Sequence, residues 1–320
     1  MKKRIGLGTW SWGNKVFWNY QTTNDYDLRE TFEEALKRGF NLIDSADSYG
    51  TGKLNGRSEE LLGKFLLDTS FAQKKRLKIA TKLAPYPWRV GNKGFKRPFL
   101  NSLNRLNNKL DIVQIHWSTS KYNPWQEFQL LNSLCDLIDQ GFNFQIGLSN
   151  IGPQRLKEII QYLSKKDKKV KSVQIQFSLL APDFLKQIKV KRICEENDID
   201  FLAYSPLSFG ILCIDPEKEE EKQNSFLRSL IFQNYKESTM EIRRCLKKIA
   251  VSRSVSQAQV AINWCCYHGA IPIVGMRKKS QVIDISNVFK WNLNKKEFDI
   301  LQQASTNCLK KMPSNPFSSL

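Results

Sequence analysis

Ile5-Gly6-Leu7-Gly8-Thr9-Trp10-Ser11 forms the first β-rich segment of the chain, and its reading separates two α/β folds. An open doubly wound sheet announces a dinucleotide site by G-x-G-x-x-G after its first strand, with a helix opening on the glycine turn. Here Ser11 stands where the third glycine belongs, and no helical pattern begins there. The fingerprint fails. Working outward, short apolar runs recur at residues 5–9, 40–44, 77–81, 111–116, 144–149, 172–177, 201–205 and 271–274. They are nearly continuous rather than alternating, as strands buried on both faces should be. Helical patterns separate them. Leu28, Phe32, Ala35 and Leu36 make one stripe ended by Gly39, and Leu61, Leu62 and Phe65 another with Ser58 as its expected N-cap. Pro124 and Pro153 stand at expected first helical turns. Two helices, over residues 239–249 and 257–267, precede the eighth strand, and two more follow it. Eight strand–helix alternations predict an α/β protein of the (β/α)8 TIM-barrel class. The expectation is a single domain over residues 1–320, with a long loop and helical insertion between strands 7 and 8.

Composition agrees with a globular chain. The 320 residues are 41 % hydrophobic and 25 % charged, which excludes disordered, collagenous and coiled-coil classes. No apolar run reaches the ~18 residues needed to cross a bilayer, and the basic start, Met1-Lys2-Lys3-Arg4, lacks the apolar stretch of a secretory signal. A cytoplasmic protein with no membrane partner is expected. Seven scattered cysteines without a C-x-x-C pair, and only two histidines, His116 and His268, point to reduced thiols and no metal site. The net charge of +19 is spread along the chain. Its densest run, at residues 165–171, is broken by Asp167 and Val170, so it reads as solvated surface plus one site for a phosphorylated ligand, not as a nucleic-acid interface. The polar stretch 215–224, with Glu217, Glu219, Glu220 and Glu221, reads as a solvated excursion.

In such a barrel the chemistry sits at the C-terminal ends of the strands. Reading those ends gives Thr9, Trp10, Asp44, Lys82, His116, Ser149, Asn150, Tyr204 and Gly275, with Tyr49 in the loop after strand 2. Each ionisable member has a bland reading alone: a helix cap, a loop aromatic, a surface cation, a core imidazole. Together they form a proton-transfer set. Hydride reduction of a carbonyl leaves negative charge on oxygen, and an acid must protonate it. A free phenol has a pKa near ~10, and an ammonium such as Lys82 favours the phenolate, making Tyr49 the better acid. Asp44 would partner the buried cation, and His116 would hydrogen-bond and polarise the carbonyl. The hydride itself needs a cofactor.

These residues resemble the aldo-keto reductase family. Its Asp and Tyr segment appears as Asp44-Ser45-Ala46-Asp47-Ser48-Tyr49-Gly50, its lysine segment as Ile79-Ala80-Thr81-Lys82, and its histidine segment as Gln114-Ile115-His116-Trp117. The resemblance spans residues 6–288. It implies a barrel that binds NADP(H), with Tyr49 as general acid, Asp44 and Lys82 tuning it, and His116 orienting a small carbonyl substrate. It further implies that Ser149, Asn150 and Gln174 hold the nicotinamide carboxamide and that Thr9 and Trp10 line that end. Tyr204 would stack on the ring, while Ser205, Pro206 and Leu207 would approach the pyrophosphate. Gly275, Arg277, Gln281 and Asp284 match positions near the adenosine and its 2′-phosphate, and Arg277 with Lys278 and Lys279 favours NADP over NAD. Two departures, Val173 and Ile285 where the family usually has Asn, imply somewhat looser cofactor binding. Within the family the segments Trp10-Ser11-Trp12-Gly13-Asn14, Ala84-Pro85-Tyr86-Pro87-Trp88-Arg89 and His116-Trp117-Ser118-Thr119 are most similar to its plant plastid pyridoxal-reducing branch. That makes pyridoxal the leading substrate, with Trp12, Trp88 and Trp117 as rings that could stack on a pyridine. The alternative is a regulatory protein that keeps the cofactor site without strong turnover.

Overall fold

A computed structural model describes residues 3–217, 225–316 and 318–319. Eight parallel strands close on themselves in sequence order: β1 Gly6–Gly8, β2 Leu42–Asp44, β3 Lys78–Leu83, β4 Ile112–Ile115, β5 Gln145–Ser149, β6 Val170–Gln176, β7 Asp200–Tyr204 and β8 Ile271–Gly275. All eight expected strands are present, each with bounds shifted by at most a few residues. The barrel closes where Gly8 of β1 pairs with Gly275 of β8 and, on its other side, with Asp44 of β2.

Side chains alternate across each strand, and the two sets differ. Leu7, Ile43, Ile79, Val113, Ile146, Leu148, Val173, Ile175, Phe201 and Val274 belong to the main core between sheet and helices. Leu42, Leu202, Ile271 and Ile273 form a separate small cluster that floors the barrel interior. The glycines of β1 serve this floor. A Cβ on Gly6 would stand 2.5 Å from Ile273 Cδ1, and one on Gly8 would stand 3.1 Å from Ile273 Cγ2. The G-x-G pattern therefore makes room for an isoleucine on the neighbouring strand β8, which explains why it resembles only part of a phosphate fingerprint.

The outer helices follow the pattern read from sequence, with two differences. Pro124–Asp139 and Pro153–Ser164 do begin on proline. Ser58 lies inside helix Arg57–Leu67, whose N-cap is Gly56 at φ +85°, and its hydroxyl bonds Thr9 and Ser45 instead of capping. Between β7 and β8 stand Phe226–Lys236, Met240–Arg253 and Gln257–Tyr267, one helix more than expected. Of the acidic stretch, Asp215 and Glu217 both bind Lys247, while Glu219, Glu220 and Glu221 lie outside the described residues. Helices Lys279–Ser286 and Lys295–Asn307 follow β8, and the chain then returns across the top of the barrel, tied by Met312 N–H to Leu180 O and by Ser319 Oγ to Gly152 N–H. Among the described residues no helix is long and apolar enough to cross a membrane.

Candidate active site

A cleft of about 930 Å³ opens at the C-terminal ends of the strands, large enough for a sizeable ligand. Asp44 ends β2 and Lys82 is the penultimate residue of β3, so two adjacent strands aim them at each other, and Lys82 Nζ lies 2.5 Å from Asp44 Oδ2. The same ammonium donates to Ser45 O at 2.9 Å and reaches Tyr49 Oη at 3.1 Å. Tyr49 follows a turn in which its own N–H bonds Ala46 O, swinging the ring back over the strand ends. His116, just past β4, meets that ring edge to face at 5.7 Å, and its Nδ1 lies 3.2 Å from Ser48 Oγ. The four expected ionisable groups thus converge on one wall of the cleft.

Burial governs their protonation. It pushes the Tyr49 phenol upward, against the pull of Lys82 and with a smaller push from Asp44. The phenol is therefore a weaker acid here than the lysine alone would make it, and it stays protonated at neutral pH. Burial also works against the Lys82 charge, but Asp44 and Tyr49 outweigh it and hold the amine above its ordinary value. His116 is held well below the usual imidazole range by burial and by Lys82, so at neutral pH it is an uncharged hydrogen-bonding group. This wall can offer a carbonyl oxygen a phenolic proton and an imidazole contact while retaining one ion pair beneath them.

Other anticipated residues have definite places. Ser149, Asn150, Gln174, Tyr204, Ser205, Pro206, Leu207, Trp10, Gly275, Arg277 and Gln281 line the cleft. Tyr204 Oη donates to Asn150 Oδ1 at 2.7 Å, Asn150 Nδ2 to His116 O at 3.0 Å, and Gln174 Nε2 to Asp44 Oδ1 at 2.8 Å. Thr9 is outside the cleft: its hydroxyl is buried between Asp44 O and Ser58. Gln281 Oε1 caps the N–H groups of Arg277 and Lys278. Asp284 lines an adjoining hollow of about 600 Å³ and accepts from Ser256 and Gln259. Of the two departures, Val173 is packed in the outer core and Ile285 is buried beside Asp284. Lys279 pairs with Glu30. Trp12 is fully buried with its indole N–H on Met276 O, so it cannot meet a ligand. Trp88 is exposed and stacks on Tyr86 at 4.7 Å, and Tyr86 in turn meets Trp117 beside His116.

The sequence reading missed the opposite end of the cleft. Arg228, from the extra helix, and Arg277, after β8, both pack on the Trp18 ring, at 4.4 and 5.0 Å. Burial and the neighbouring Arg277 push Arg228 down to about 10, and burial lowers Arg277 as well. Their hydrogen bonds go to backbone carbonyls of Phe209 and Trp18, and neither has a carboxylate partner among the described residues. Close by, Ser11 Oγ and Trp18 Nε1 are buried without a hydrogen-bond partner, and both residues line this cleft. Two cleft-lining guanidinium groups without a carboxylate partner fit the phosphate groups of an anionic ligand. A charge with no ion-pair partner on an isolated helix gives no periodic signal, which is why Arg228 was not legible.

Comparison with known proteins agrees with this geometry. Residues 4–306 match the aldo/keto reductase family. The chloroplastic pyridoxal reductase of Arabidopsis thaliana is 40 % identical over 98 % of this chain and 86 % of its own length, and the aldo-keto reductase YhdN of Bacillus subtilis is 27 % identical over 92 % and 87 %. The solved glycerol dehydrogenase AKR11B4 of Gluconobacter oxydans superposes with a TM-score of 0.77 at 23 % identity, covering 98 % of this chain and 94 % of that one, a likeness of fold. The closed eight-stranded barrel, the convergent Asp, Tyr, Lys and His, and these matches together establish that the chain belongs to the aldo/keto reductase family and is an oxidoreductase acting on carbonyl compounds.

Proposed function

We propose that the protein reduces aldehydes or ketones with NADPH, with Tyr49 as proton donor and pyridoxal as the leading substrate. The observation that carries the reading is the 3.1 Å contact of the Tyr49 hydroxyl with an ammonium that Asp44 holds in place, on the cleft wall that includes His116. When bound, the nicotinamide would supply the hydride. Ser149, Asn150 and Gln174 would hold its carboxamide and Tyr204 would stack on the ring, while Arg228 would meet the diphosphate and Arg277 the 2′-phosphate. His116, uncharged, orients the carbonyl oxygen toward the phenol, and Tyr49 gives its proton to the oxygen as negative charge builds there. Lys82 donates a hydrogen bond to the phenolate left behind, and Asp44 keeps Lys82 charged.

The substrate assignment rests on the pyridoxal reductase relative and on the Tyr86, Trp88 and Trp117 series beside His116, which suits a planar ring. Seven unpaired thiols suit a reducing compartment such as the cytoplasm. The test is NADPH oxidation by purified protein against a panel of aldehydes that includes pyridoxal. Turnover of pyridoxal above simple aliphatic aldehydes is expected; tight NADPH binding without turnover of any member would overturn the reading in favour of a regulator.

The two arginines should separate by cofactor. Arg277→Ala is expected to weaken NADPH about tenfold or more and NADH less, since NADH lacks the 2′-phosphate. Arg228→Ala should weaken both alike, because the diphosphate is common to them. Fluorescence titration with the two cofactors checks this, and equal losses in Arg277→Ala would remove its assignment.

A further inference from the structure

Beneath the cleft, the barrel interior holds a buried polar layer that the proposed chemistry does not use. Strand register sets Gln114 of β4 beside Lys82 of β3 on one side and Gly147 of β5 on the other, with Ser172 of β6 next to Gly147. Gln114 is fully buried and is not part of the cleft lining. Its Nε2 donates to Asp44 Oδ1 at 3.0 Å. The carboxylate is thereby held at both oxygens: Oδ2 by Lys82, and Oδ1 by Gln114 and Gln174 together.

We propose that Gln114 is a positioning residue, locking the Asp44 carboxylate in the orientation that presents Lys82 to Tyr49. This inference rests on the proton-transfer role assigned to Tyr49. Three observations support it. First, Gln114 Oε1 is buried with no hydrogen-bond partner. An orphaned carbonyl is costly, and a leucine of similar volume would avoid it, so the Nε2 contact to a carboxylate is what favours an amide here. Second, the side chain needs the space that Gly147 leaves open: a Cβ at 147 would stand 2.6 Å from Gln114 Cγ. Third, the two amide donors on Oδ1 are not equivalent. Gln174 faces the cleft, where a bound ligand can compete for it, whereas Gln114 is sealed beneath and stays on Asp44 whatever the cleft holds.

Without Gln114, Asp44 has one donor fewer, and the amide that remains is exposed to competition. Lys82, shared among Asp44, Ser45 O and Tyr49, would follow the carboxylate as it turns. Gln114→Leu is therefore expected to lower kcat by about 10- to 100-fold. KM for the carbonyl and the NADPH Kd should stay within about twofold, since Gln114 touches neither site. The solvent deuterium isotope effect on kcat should rise, because the proton step becomes more limiting. A crystal structure of the variant should show the Lys82 to Tyr49 contact lengthened beyond hydrogen-bonding reach. Gln114→Met, flexible and of similar volume, serves if the leucine variant does not fold.

Wild-type kcat, or kcat and NADPH affinity falling together with thermal stability, would overturn the proposal; the second result would make Gln114 merely structural. If the wild-type protein turns over no carbonyl, the reductase reading fails by itself. The structure of the variant still decides the lock: Asp44 unmoved overturns it, and Asp44 turned away from Lys82 supports it.

Discussion

Tyr49→Phe lowers turnover of the best aldehyde by about 10²–10⁴-fold, the range of a lost general acid, and leaves NADPH affinity within about twofold. The substitution keeps the ring, so its edge contact with His116 and the position of Lys82 4.9 Å from its centre persist. Removing the hydroxyl takes one of three partners from Lys82, which retains Asp44 and Ser45 O, so folding is little affected. No neighbour can replace the donor efficiently. His116 is uncharged at neutral pH, being held well below its ordinary value by burial and Lys82, and a neutral imidazole is a very weak acid. Lys82 holds its proton more tightly than a free amine. The pH dependence carries the same information. Burial raises the phenol above its ordinary value, so the protonated form persists through neutrality and is lost only as pH rises past that raised value. Wild-type reduction should have its alkaline limb there, and the phenylalanine variant should lack it. Stopped-flow and steady-state NADPH oxidation measure both. Turnover within tenfold of wild type would remove Tyr49 from its role.

The sequence made some parts of this arrangement readable and hid others, for identifiable reasons. The eight strands could be found because their outward residues pack under helices and most inward ones are apolar or small, leaving near-continuous runs. The candidate catalytic positions could be found because a barrel puts strand ends on one rim, and Asp44, Lys82 and His116 fall at or just past such ends. Thr9 is also at a strand end but falls on the face of Leu7, and its hydroxyl turns to Asp44 O and Ser58; strand alternation, which a strand-end position alone does not record, decides that. Trp12 is similar, since an aromatic in a loop looks available until packing against Phe65 buries it. Arg228 and Gln114 were missed for opposite reasons. Arg228 resembles any surface cation of a Lys-rich chain until the extra helix carries it over Trp18. Gln114 sits between Val113 and Ile115, where a polar residue inside an apolar strand has no sequence-level partner, because Asp44 is brought to it only by closure of the sheet.

Lys82→Met should lose stability and chemistry together, and a second substitution should separate them. The Asp44 carboxylate is 3 % exposed and the Lys82 side chain 2 %. Removing one partner of such a pair leaves an uncompensated buried charge, costing about 3–5 kcal/mol, or a fall in melting temperature of roughly 4–8 °C for a chain of this size. The amides of Gln114 and Gln174 remain on Asp44 and soften the loss without supplying a counter-charge. Neutralising the carboxylate as well, in Asp44→Asn/Lys82→Met, removes the stranded charge, and the amide carbonyl introduced at position 44 can still accept from both glutamines. Most of the lost stability should return. Turnover should not: both variants lack the ammonium beside the phenol, so each should remain at least about 10²-fold below wild type. A thermal-unfolding and kinetic double-mutant cycle therefore predicts strong coupling between positions 44 and 82 in stability and none in rescue of kcat. Parent-like melting of Lys82→Met would mean that Asp44 is not held as a buried anion. Recovery of turnover in the double variant would mean that the proton donor needs no cation beside it, and the mechanism would have to be rebuilt on Tyr49 and His116 alone.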